Sequence, residues 1–339
     1  MENKCFIVAE LSCNHLQRYD LAVETIKAMK VAGADAVKLS LDDPDGGITI
    51  DCDKEYFQIS EGTPWDGKTL YQLYKNETYT PWDWHAKLMK LTSELGMVSF
   101  STPSCKKSVD FLESIGNPIY KIASFEITDI GLIEYVAAKK KPIMISTGIA
   151  SFSDIEEAVA ACHRVGNNDI TLLKCVSTYP AQLDEINLKV IPDLREKFGV
   201  KVGLSDHSLN TDIVVAAVAL GACVVEKHVI LDRKLGGPDA EFSLMPDEFG
   251  EMVRAIRSVE KALGKVDYNV TMRMQKSRVF SRSLFVVEDI KRGDLITEQN
   301  VRSIRPGHGL HPRYLKEILG KYASHDLKKG TPFFRSMID

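Results

Sequence analysis

The chain has 339 residues, with 43 Lys or Arg against 47 Asp or Glu, so its formal net charge is −4. Hydrophobic residues make up 44% of the chain, which is typical of a folded globular protein and excludes a disordered one. The slight acidity argues against a nucleic-acid partner, and no apolar run approaches the roughly 20 residues that span a bilayer. The N-terminus carries no secretory signal and the seven cysteines form no CxxC pair, so we expect a cytoplasmic protein with reduced thiols and no membrane partner.

From residue 5 to about residue 230, short apolar runs rich in β-branched residues alternate with longer segments of helical period. The predicted strands are residues 6–10, 36–40, 98–102, 119–124, 142–147, 170–176, 201–206 and 223–229. The predicted helices are residues 19–32, 82–95, 106–114, 130–139, 153–164, 188–198, 212–220 and 246–264. Eight such units in about 260 residues predict an α/β fold of the (β/α)8 TIM-barrel type. A doubly wound open sheet is the weaker alternative, because the chain has no Gly-rich dinucleotide motif.

The interval 41–81, between the second strand and its helix, is too long for a plain βα loop. Long loops in compact domains are usually functional or contain a substructure of their own. In a barrel a βα loop opens on the catalytic face, so we expect this interval to form a lid or a small extra hairpin there.

After residue 264 the pattern changes from long helices to short strands and turns. Residues 265–282 are polar and basic and are predicted to be a linker, and residues 283–339 are predicted to form a compact module. A module of this size has little core of its own, so we expect it to pack on something. The predicted domains are thus a catalytic barrel over 1–264, the linker and the small C-terminal module.

Most predicted strands have an ionisable or hydroxyl side chain near their carboxyl ends, where TIM barrels carry out their chemistry. His207 and His228 leave adjacent strands at matching heights, so their imidazoles could share one ion. Two neutral imidazoles suit a divalent transition metal such as Mn²⁺, with water or substrate at the open positions. The alternative, of similar weight, is two unrelated histidines.

A second group of side chains at the same ends is cationic or carries a hydroxyl. Lysines inside apolar strands are uncommon, and converging cations and hydroxyls suit a phosphate or a carboxylate. The alternative is a set of lysines in ion pairs within the barrel. The group comprises Lys38, Lys121, Ser124, Ser146, Ser177 and Ser205.

Two carboxylates, Glu10 and Glu126, belong to the same set of strand ends. A carboxylate beside a metal or a lysine stays ionised, whereas one in a drier setting has a raised pKa and can exchange protons. This pair could therefore carry acid–base chemistry. For Glu10 a structural role as the partner of a buried lysine is an equal alternative.

Seven motifs, in order, give the sequence a family resemblance. Ala9-Glu10-Leu11-Ser12-x-Asn14-His15, Tyr120-Lys121-Ile122-Ala123-Ser124-Phe125-Glu126, Ser146-Thr147-Gly148, Gly203-Leu204-Ser205-Asp206-His207, Glu226-Lys227-His228, Gly237-Pro238-Asp239 and Arg305-Pro306-Gly307 resemble the sialic acid synthase family over essentially the whole chain. The tail from about residue 283 is similar to the antifreeze-like (SAF) domain that closes these enzymes. The AELS-x-NH start, the stretch from Trp65 to His85 and the tail motif are most similar to the pseudaminate branch of the family.

The resemblance implies a reaction in which phosphoenolpyruvate condenses with the open-chain aldehyde of an acetamido sugar. The implied sugar is a 2,4-diacetamido-2,4,6-trideoxy hexose of the altrose type, and the products are a nonulosonic acid and inorganic phosphate. The implied cofactor is a divalent metal on His207 and His228, with Mn²⁺ favoured over Co²⁺ or Mg²⁺.

The same resemblance implies roles for the candidate residues. Catalysis falls to Glu126, Glu10 and Lys121, with Glu10 and Asp239 orienting the sugar and a water. Arg305 would contact the sugar across a domain-swapped homodimer. The implied substrate-binding set is Lys38, Thr102, Ser124, Ser146, Ser177, Tyr179, Ser205, Asp239 and Arg305.

Departures from the family pattern keep other functions open. Leu39-Ser40 and Ser104-Cys105 stand where the family usually has Gln-Thr and Phe-Asp, Cys13 stands where Ala is common, and Ser177 replaces an Asn of the sialate branch. The alternatives are a synthase for another sialic or legionaminic acid and a sugar-binding relative without turnover. A third is another phosphoenolpyruvate-using barrel such as a 3-deoxy-heptulosonate synthase, which usually lacks the SAF tail.

Overall fold

The structure is a computed structural model that describes residues 4–45, 47–59, 65–177 and 181–339. The chain folds into two compact units, Met1–Gly264 and Lys265–Asp339. The first unit contains every strand end singled out above, and the second contains Arg305. No helix in the described part of the chain is long and apolar enough to cross a membrane.

The first unit is a closed barrel of eight parallel strands in sequence order, with β8 hydrogen-bonded back to β1. This confirms the predicted (β/α)8 fold. The observed fourth and sixth strands are shorter than predicted, because residues 124–126 form a 3₁₀ turn and residues 175–177 continue as a loop. Strands β1 to β8 are Phe6–Glu10, Ala36–Leu41, Val98–Pro103, Tyr120–Ile122, Ile143–Ser146, Ile170–Lys174, Lys201–Asp206 and Val224–His228.

In the first unit, helices follow the strands and cover the barrel. Helix α1 ends at Gly33, whose φ of 98° is a left-handed conformation that favours glycine, and α6 begins with a capping box between Ser151 and Asp154. Helices α1 to α11 are Tyr19–Ala32, Leu70–Leu73, Trp82–Glu94, Lys106–Ser114, Ile130–Ala137, Phe152–Arg164, Val190–Phe198, Thr211–Ala219, Pro246–Leu263, Met272–Ser277 and Leu315–Ile318.

The barrel interior is apolar at one end and polar at the other. Side chains alternate between the two faces of a strand, so positions two apart point the same way. On β2, Ala36 packs in the barrel's apolar cluster and Lys38 faces the same interior; on β8, Val224 and Glu226 repeat the pattern. The period of two therefore explains why charged side chains lie above the apolar cluster inside the barrel.

The interval 41–81 forms mostly short helical turns. In its described residues the turns are Glu55–Phe57, α2 and Tyr74–Thr78, and a single antiparallel bridge joins Gln58 to Thr69. Thr69 caps α2 through a reciprocal capping box with Gln72, so the chain turns into a helix where a hairpin would need a strand. The two predicted forms are a lid and a small hairpin. In the described residues, the bridge between Gln58 and Thr69 is the part that resembles a hairpin.

The second unit has its own small core. Strands β9 (Ser283–Val286) and β10 (Val301–Ile304) pair antiparallel, and α10 falls inside the predicted linker, where each residue from 265 to 282 is exposed. The core of the unit consists of Leu284, Val286, Ile290, Ile296, Val301, Ile318, Ala323, Leu327 and Phe333.

Candidate active site

A cavity of about 670 Å³ opens at the carboxyl ends of the barrel strands. Its size is in the range of small-molecule sites. The structure brings ten of the predicted site residues to its lining, namely Glu10, Lys38, Lys121, Ser124, Glu126, Ser146, Ser205, His207, His228 and Asp239.

The bottom of the cavity is an ionic floor made of Glu10, Lys38, Lys121 and Glu226. Lys38 Nζ lies 2.8 Å from Glu10 Oε1 and 2.9 Å from Glu226 Oε1. Burial alone would lower the pKa of Lys38, but these two carboxylates raise it above its ordinary value, so Lys38 stays charged. The ion-pair alternative is therefore realised for Lys38, within the cavity rather than away from it.

Lys121 is held more loosely than Lys38. Its Nζ donates to Ser146 Oγ at 2.7 Å and lies 3.7 Å from Glu226 Oε1. Burial lowers the pKa of Lys121 in spite of Glu226. Lys121 Nζ also donates to the carbonyl oxygen of Ile122 at 3.1 Å, so both of its hydrogen-bond acceptors are neutral. With its nearest carboxylate at 3.7 Å, this ammonium group would be stabilised by an incoming anion.

Hydroxyl groups surround this lysine. Ser205 Oγ donates to Glu226 Oε1 at 3.0 Å, and Ser124 Oγ accepts from the backbone N–H of Gly148 at 3.1 Å. A Cβ at Gly148 would lie 2.6 Å from Ser124 Oγ and 2.0 Å from Ser177 Oγ. Only glycine lets the chain after β5 approach both serines this closely.

Glu126 presents a carboxyl group that can hold a proton. Burial raises its pKa above the ordinary value, against the opposing effect of Lys121. The side chain follows β4 in the 3₁₀ turn Ser124–Glu126 and faces the cavity. A raised carboxyl pKa in a cleft is a signature of acid–base function.

The two predicted metal ligands lie side by side. The ring centroids of His207 and His228 are 5.2 Å apart. His228 Nε2 lies 3.1 Å from Glu10 Oε2, and its Nδ1 lies 3.3 Å from Asp239 Oδ2 but is not aligned for a hydrogen bond. Burial raises the pKa of Asp239, but contacts with His228 and Ser12 outweigh it and hold that pKa below its usual range.

The chemistry of this donor set fits a divalent cation. His207 Nδ1 lies 2.9 Å from the carbonyl oxygen of Val176, which can only accept, so Nδ1 carries the proton and a neutral ring keeps its lone pair on Nε2. Burial lowers the pKa of His207, but Cys175 raises it to about 9, so a cation would displace a proton there. In residues 4–45, 47–59, 65–177 and 181–339, no three His, Cys, Asp or Glu side chains surround one point, so water or substrate would complete the ligand shell.

Comparison with known proteins identifies the family of the chain. A model described as the NeuB family matches residues 25–268, and one described as the SAF domain matches residues 281–339. The chain belongs to the NeuB family. Pseudaminic acid synthases of Campylobacter jejuni and Helicobacter pylori are 45% and 46% identical to it, over 97% and 96% of this chain and 95% of each relative. The predicted resemblance is confirmed.

Solved structures agree with the NeuB-family assignment. The spore coat polysaccharide biosynthesis protein SpsE of Bacillus subtilis is 32% identical, with a TM-score of 0.67, over 100% of this chain and 96% of that chain. The N-acetylneuraminic acid synthetase of Leptospira borgpetersenii, solved with citrate, is 31% identical with a TM-score of 0.71, over 81% and 90%. A 3-deoxy-D-arabino-heptulosonate 7-phosphate synthase of Thermotoga maritima, at 14% identity, shares the fold alone.

Four predicted binding residues lie outside the described lining of the cavity. Thr102 is buried on β3, and its hydroxyl has no partner among the described residues. Ser177 Oγ lies 3.8 Å from Cys175 Sγ, next to residues 178–180, so Tyr179 falls outside the described residues. Arg305 is exposed in the second unit.

The turn that carries Arg305 is tied to β9. Ser283 Oγ donates to the carbonyl oxygen of Pro306 at 2.6 Å and accepts from the N–H of Gly309 at 2.8 Å. Ser283 itself is buried at the start of the strand. Two hydrogen bonds to a single buried hydroxyl fix the backbone on which Arg305 stands.

Sequence reasoning missed three charged or reactive residues of the lining. Asp42, Cys175 and Glu226 all face the cavity. Each lies two or four residues further along the chain than a residue whose side chain faces the barrel interior. Because side chains alternate between the two faces of a strand, each can be recognised as facing the interior once the strand ends are known. Burial and the charges of Glu126 and Glu10 raise the pKa of Asp42 to about 7.

Part of the side of the cavity formed by the interval 41–81 is an apolar wall, which consists of Ile48, Ile59, Trp65, Leu70 and Leu73. The same interval also contributes polar lining residues, namely Asp42, Gln58, Tyr74 and Thr78. Trp65 Nε1 donates to the carbonyl oxygen of Pro238 at 3.4 Å, which joins the wall to the loop after β8. The cavity thus combines an ionic floor with an apolar wall on one side.

Proposed function

We propose that the protein condenses phosphoenolpyruvate with a 2,4-diacetamido-2,4,6-trideoxy hexose and water to give a nonulosonic acid and phosphate. The observation that carries the proposal is the single cavity in which cations and hydroxyls face an acidic and apolar region. The names of the relatives at 45% and 46% identity, pseudaminic acid synthases, support an acceptor of the altrose type.

The phosphoenolpyruvate half of the site rests on Lys121 and the serines. A phosphate and a carboxylate on one small molecule require cations and several donors within a few ångströms. Lys121 with Ser124, Ser146 and Ser205 can supply them, and Lys38 adds charge from the ionic floor. Thr102, Ser177 and Tyr179 remain predicted members of this half.

The sugar half takes the other side of the cavity. A 6-deoxy sugar with two acetamido groups carries three methyl groups. An apolar wall can contact these methyl groups without leaving a buried polar group unpaired. A common hexose would place hydroxyls against the same side chains at a cost in hydrogen bonding. The apolar wall therefore favours the diacetamido deoxy class over an ordinary polyhydroxy sugar.

The reaction needs one proton delivered and one removed. The aldehyde oxygen gains a proton as its carbon bonds to C3 of phosphoenolpyruvate, and the water that adds at C2 loses one before phosphate leaves by C–O cleavage. Glu126, with its raised pKa, holds a proton that it can give and later recover. Asp239 and Glu10 stay beside His228 and orient it.

A divalent cation on His207 and His228 would act as a Lewis acid on the aldehyde, and we propose Mn²⁺, with Co²⁺ or Mg²⁺ as substitutes. The roles of the chain itself are to hold the two imidazoles side by side and to keep Glu10 at 3.1 Å from one of them. Glu10 thus serves both Lys38 and His228, which unites its two predicted roles.

The test is phosphate release from phosphoenolpyruvate over a panel of acceptors. The panel holds 2-acetamido and 2,4-diacetamido hexoses of several configurations, each with added Mn²⁺. We expect the highest kcat/KM with the diacetamido altrose type. A preference for another configuration would assign a different sialic or legionaminic acid, and no turnover with any acceptor would favour a sugar-binding relative.

We also propose a domain-swapped homodimer in which Arg305 contacts the sugar in the partner's barrel. The guanidinium fork suits an acetamido carbonyl, and its turn is held by Ser283. Arg305→Ala should raise KM for the sugar more than KM for phosphoenolpyruvate. Mixed with Glu126→Gln, it should regain part of the activity, because exchanged heterodimers hold one intact site. Confirmed subunit exchange without recovery would refute the swap.

A further inference from the structure

Three acidic residues follow β2, and they differ in how their charges are satisfied. Asp43 accepts from Lys107 Nζ at 3.1 Å, and Asp45 accepts from Tyr71 and Lys75 at 2.8 and 2.6 Å. In the part of the chain that the structure describes, no hydrogen bond or ion pair reaches the carboxylate of Asp42. Asp42 is also the one of the three that lines the cavity.

The surroundings of Asp42 do not compensate its charge. Glu126, Glu10 and Asp239 repel a negative charge there, and Lys38 is already held by two other carboxylates at 2.8 and 2.9 Å. Asp42 is partly exposed and faces the cavity, so a ligand that fills the cavity would take an unsatisfied carboxylate out of water unless the ligand supplies a donor. Asp43 and Asp45 on the same segment have partners, whereas Asp42 faces the space that a ligand would fill.

The chemistry beside Asp42 narrows what that ligand presents. A carboxyl group at this position recognises an N–H or O–H donor. The apolar wall lines the same cavity, so the donor belongs to a group that also carries a methyl. An acetamido group has both, an amide N–H and a methyl, whereas a hydroxyl has no apolar part.

We propose that Asp42 is a specificity-determining residue that accepts a hydrogen bond from an acetamido N–H of the acceptor sugar. The inference rests on the proposed condensation and names the contact that selects its acceptor. A hydrogen bond to a charged acceptor, when removed, weakens binding by about tenfold to a hundredfold. The effect falls on the sugar, because phosphoenolpyruvate has no N–H to donate.

The experiment compares the wild-type enzyme, Asp42→Ala and the control Asp51→Asn with added Mn²⁺. Asp51 is an exposed carboxylate on the same segment and is not part of the described lining of the cavity. We expect Asp42→Ala to raise KM for the diacetamido sugar by about tenfold or more, with KM for phosphoenolpyruvate within about twofold. Asp51→Asn should match the wild type. A melting temperature of Asp42→Ala no lower than that of the wild type would show that the fold is intact.

A second comparison locates the contact. Each enzyme is assayed with two analogues, in which one acetamido group is replaced by a hydroxyl, at C2 or at C4. Replacing the contacted group should weaken the wild type but add little to Asp42→Ala, since the hydrogen bond is then already lost. Additive losses with both analogues would overturn the inference while the wild type still turns over. A wild type that releases no phosphate with any acceptor would instead overturn the proposed function.

Discussion

The ionic floor stands on four barrel strands, β1, β2, β4 and β8, whereas the apolar wall belongs to one long segment between β2 and α3. In the floor each charged group has a partner within 4 Å, and the strands fix the spacing. In the described part of that segment, the lining residues lie on α2, on the helical turn Tyr74–Thr78 and on irregular chain.

The scaffold thus separates the charged groups of the floor from the surface that would select the acceptor. Changing a strand residue in the floor disturbs an ion network and the packing of the barrel together. Changing a residue of the wall alters the shape offered to a ligand and leaves the barrel hydrogen bonds intact. We therefore expect floor substitutions to affect kcat or phosphoenolpyruvate binding, and substitutions in the wall segment to affect the sugar.

Of the changes at the floor end of the cavity, removal of the metal should reduce the rate of phosphate release most. In the proposed mechanism a Lewis acid on His207 and His228 would stabilise the transition state by several kcal/mol, so chelated enzyme should lose about 10³-fold in rate. Adding Mn²⁺, Co²⁺ or Mg²⁺ in excess of chelator should restore it, as measured by phosphate release. Full activity of a metal-free preparation, checked by elemental analysis, would remove the two histidines from this role.

Glu126→Gln should come next. The amide keeps the shape of the side chain but cannot exchange a proton, and general acid–base groups contribute about 10²–10⁴-fold to the rate. We expect kcat to fall by that order while calorimetric binding of phosphoenolpyruvate changes little. The control is Glu134→Gln, at a carboxylate on α5 that pairs with Arg164. Near-normal kcat in Glu126→Gln would make Glu126 a positioning residue.

Gly148→Ala should affect phosphoenolpyruvate binding by about tenfold. Its Cβ would meet Ser177 Oγ at 2.0 Å and Ser124 Oγ at 2.6 Å, so both hydroxyls must turn away and a charge-stabilising donor is lost. KM for phosphoenolpyruvate should rise, and KM for the sugar should not. Gly131→Ala in α5 is the matched control, because its Cβ would lie 3.5 Å from the nearest atom outside its own helix, Asp129 Oδ1. Equal effects at both glycines would contradict the assignment.

The floor was more predictable from the sequence than the wall. Short β-branched runs at regular spacing specify the barrel, and the period of two then brings Lys38, Lys121 and Ser146 to one end of it. Glu226 is harder to recognise from the sequence, because its partners Lys38 and Lys121 come from β2 and β4 and are distant along the chain.

The wall could not be predicted because its residues have no common period. Ile48, Ile59 and Leu73 come together through turns and one isolated bridge, which depend on tertiary contacts rather than on local pattern. Asp42, Asp43 and Asp45 all lie in this segment, and the ion pairs of Asp43 and Asp45 distinguish them from Asp42. Such differences between adjacent like residues arise from packing, which a single sequence does not show.

The smallest expected effect is a pH-dependent gain in stability on Asp42→Asn. Burial and the charges of Glu126 and Glu10 raise the folded-state pKa of Asp42 to about 7, above its ordinary value. The folded state therefore binds this proton more tightly than the unfolded state, and the resulting stability is lost as pH rises through 7. Asn keeps the shape without the charge, so the variant should melt at a higher temperature than the wild type at pH 8, and the gap should shrink as pH falls to about 4.

The control for this last effect is Asp45→Asn. It is the same substitution on the same segment, at a carboxylate whose pKa is shifted in the opposite direction. Hydrogen bonds from Lys75 and Tyr71 hold the pKa of Asp45 below its ordinary value, so its charge stabilises the folded state above that value and no gain is expected on removing it. Thermal melts of both variants from pH 4 to pH 8, at one fixed metal concentration, make the comparison. A gap for Asp42→Asn that stays constant with pH would mean that the substitution acts through packing, and that the wall segment does not hold an unsatisfied carboxylate beside the floor.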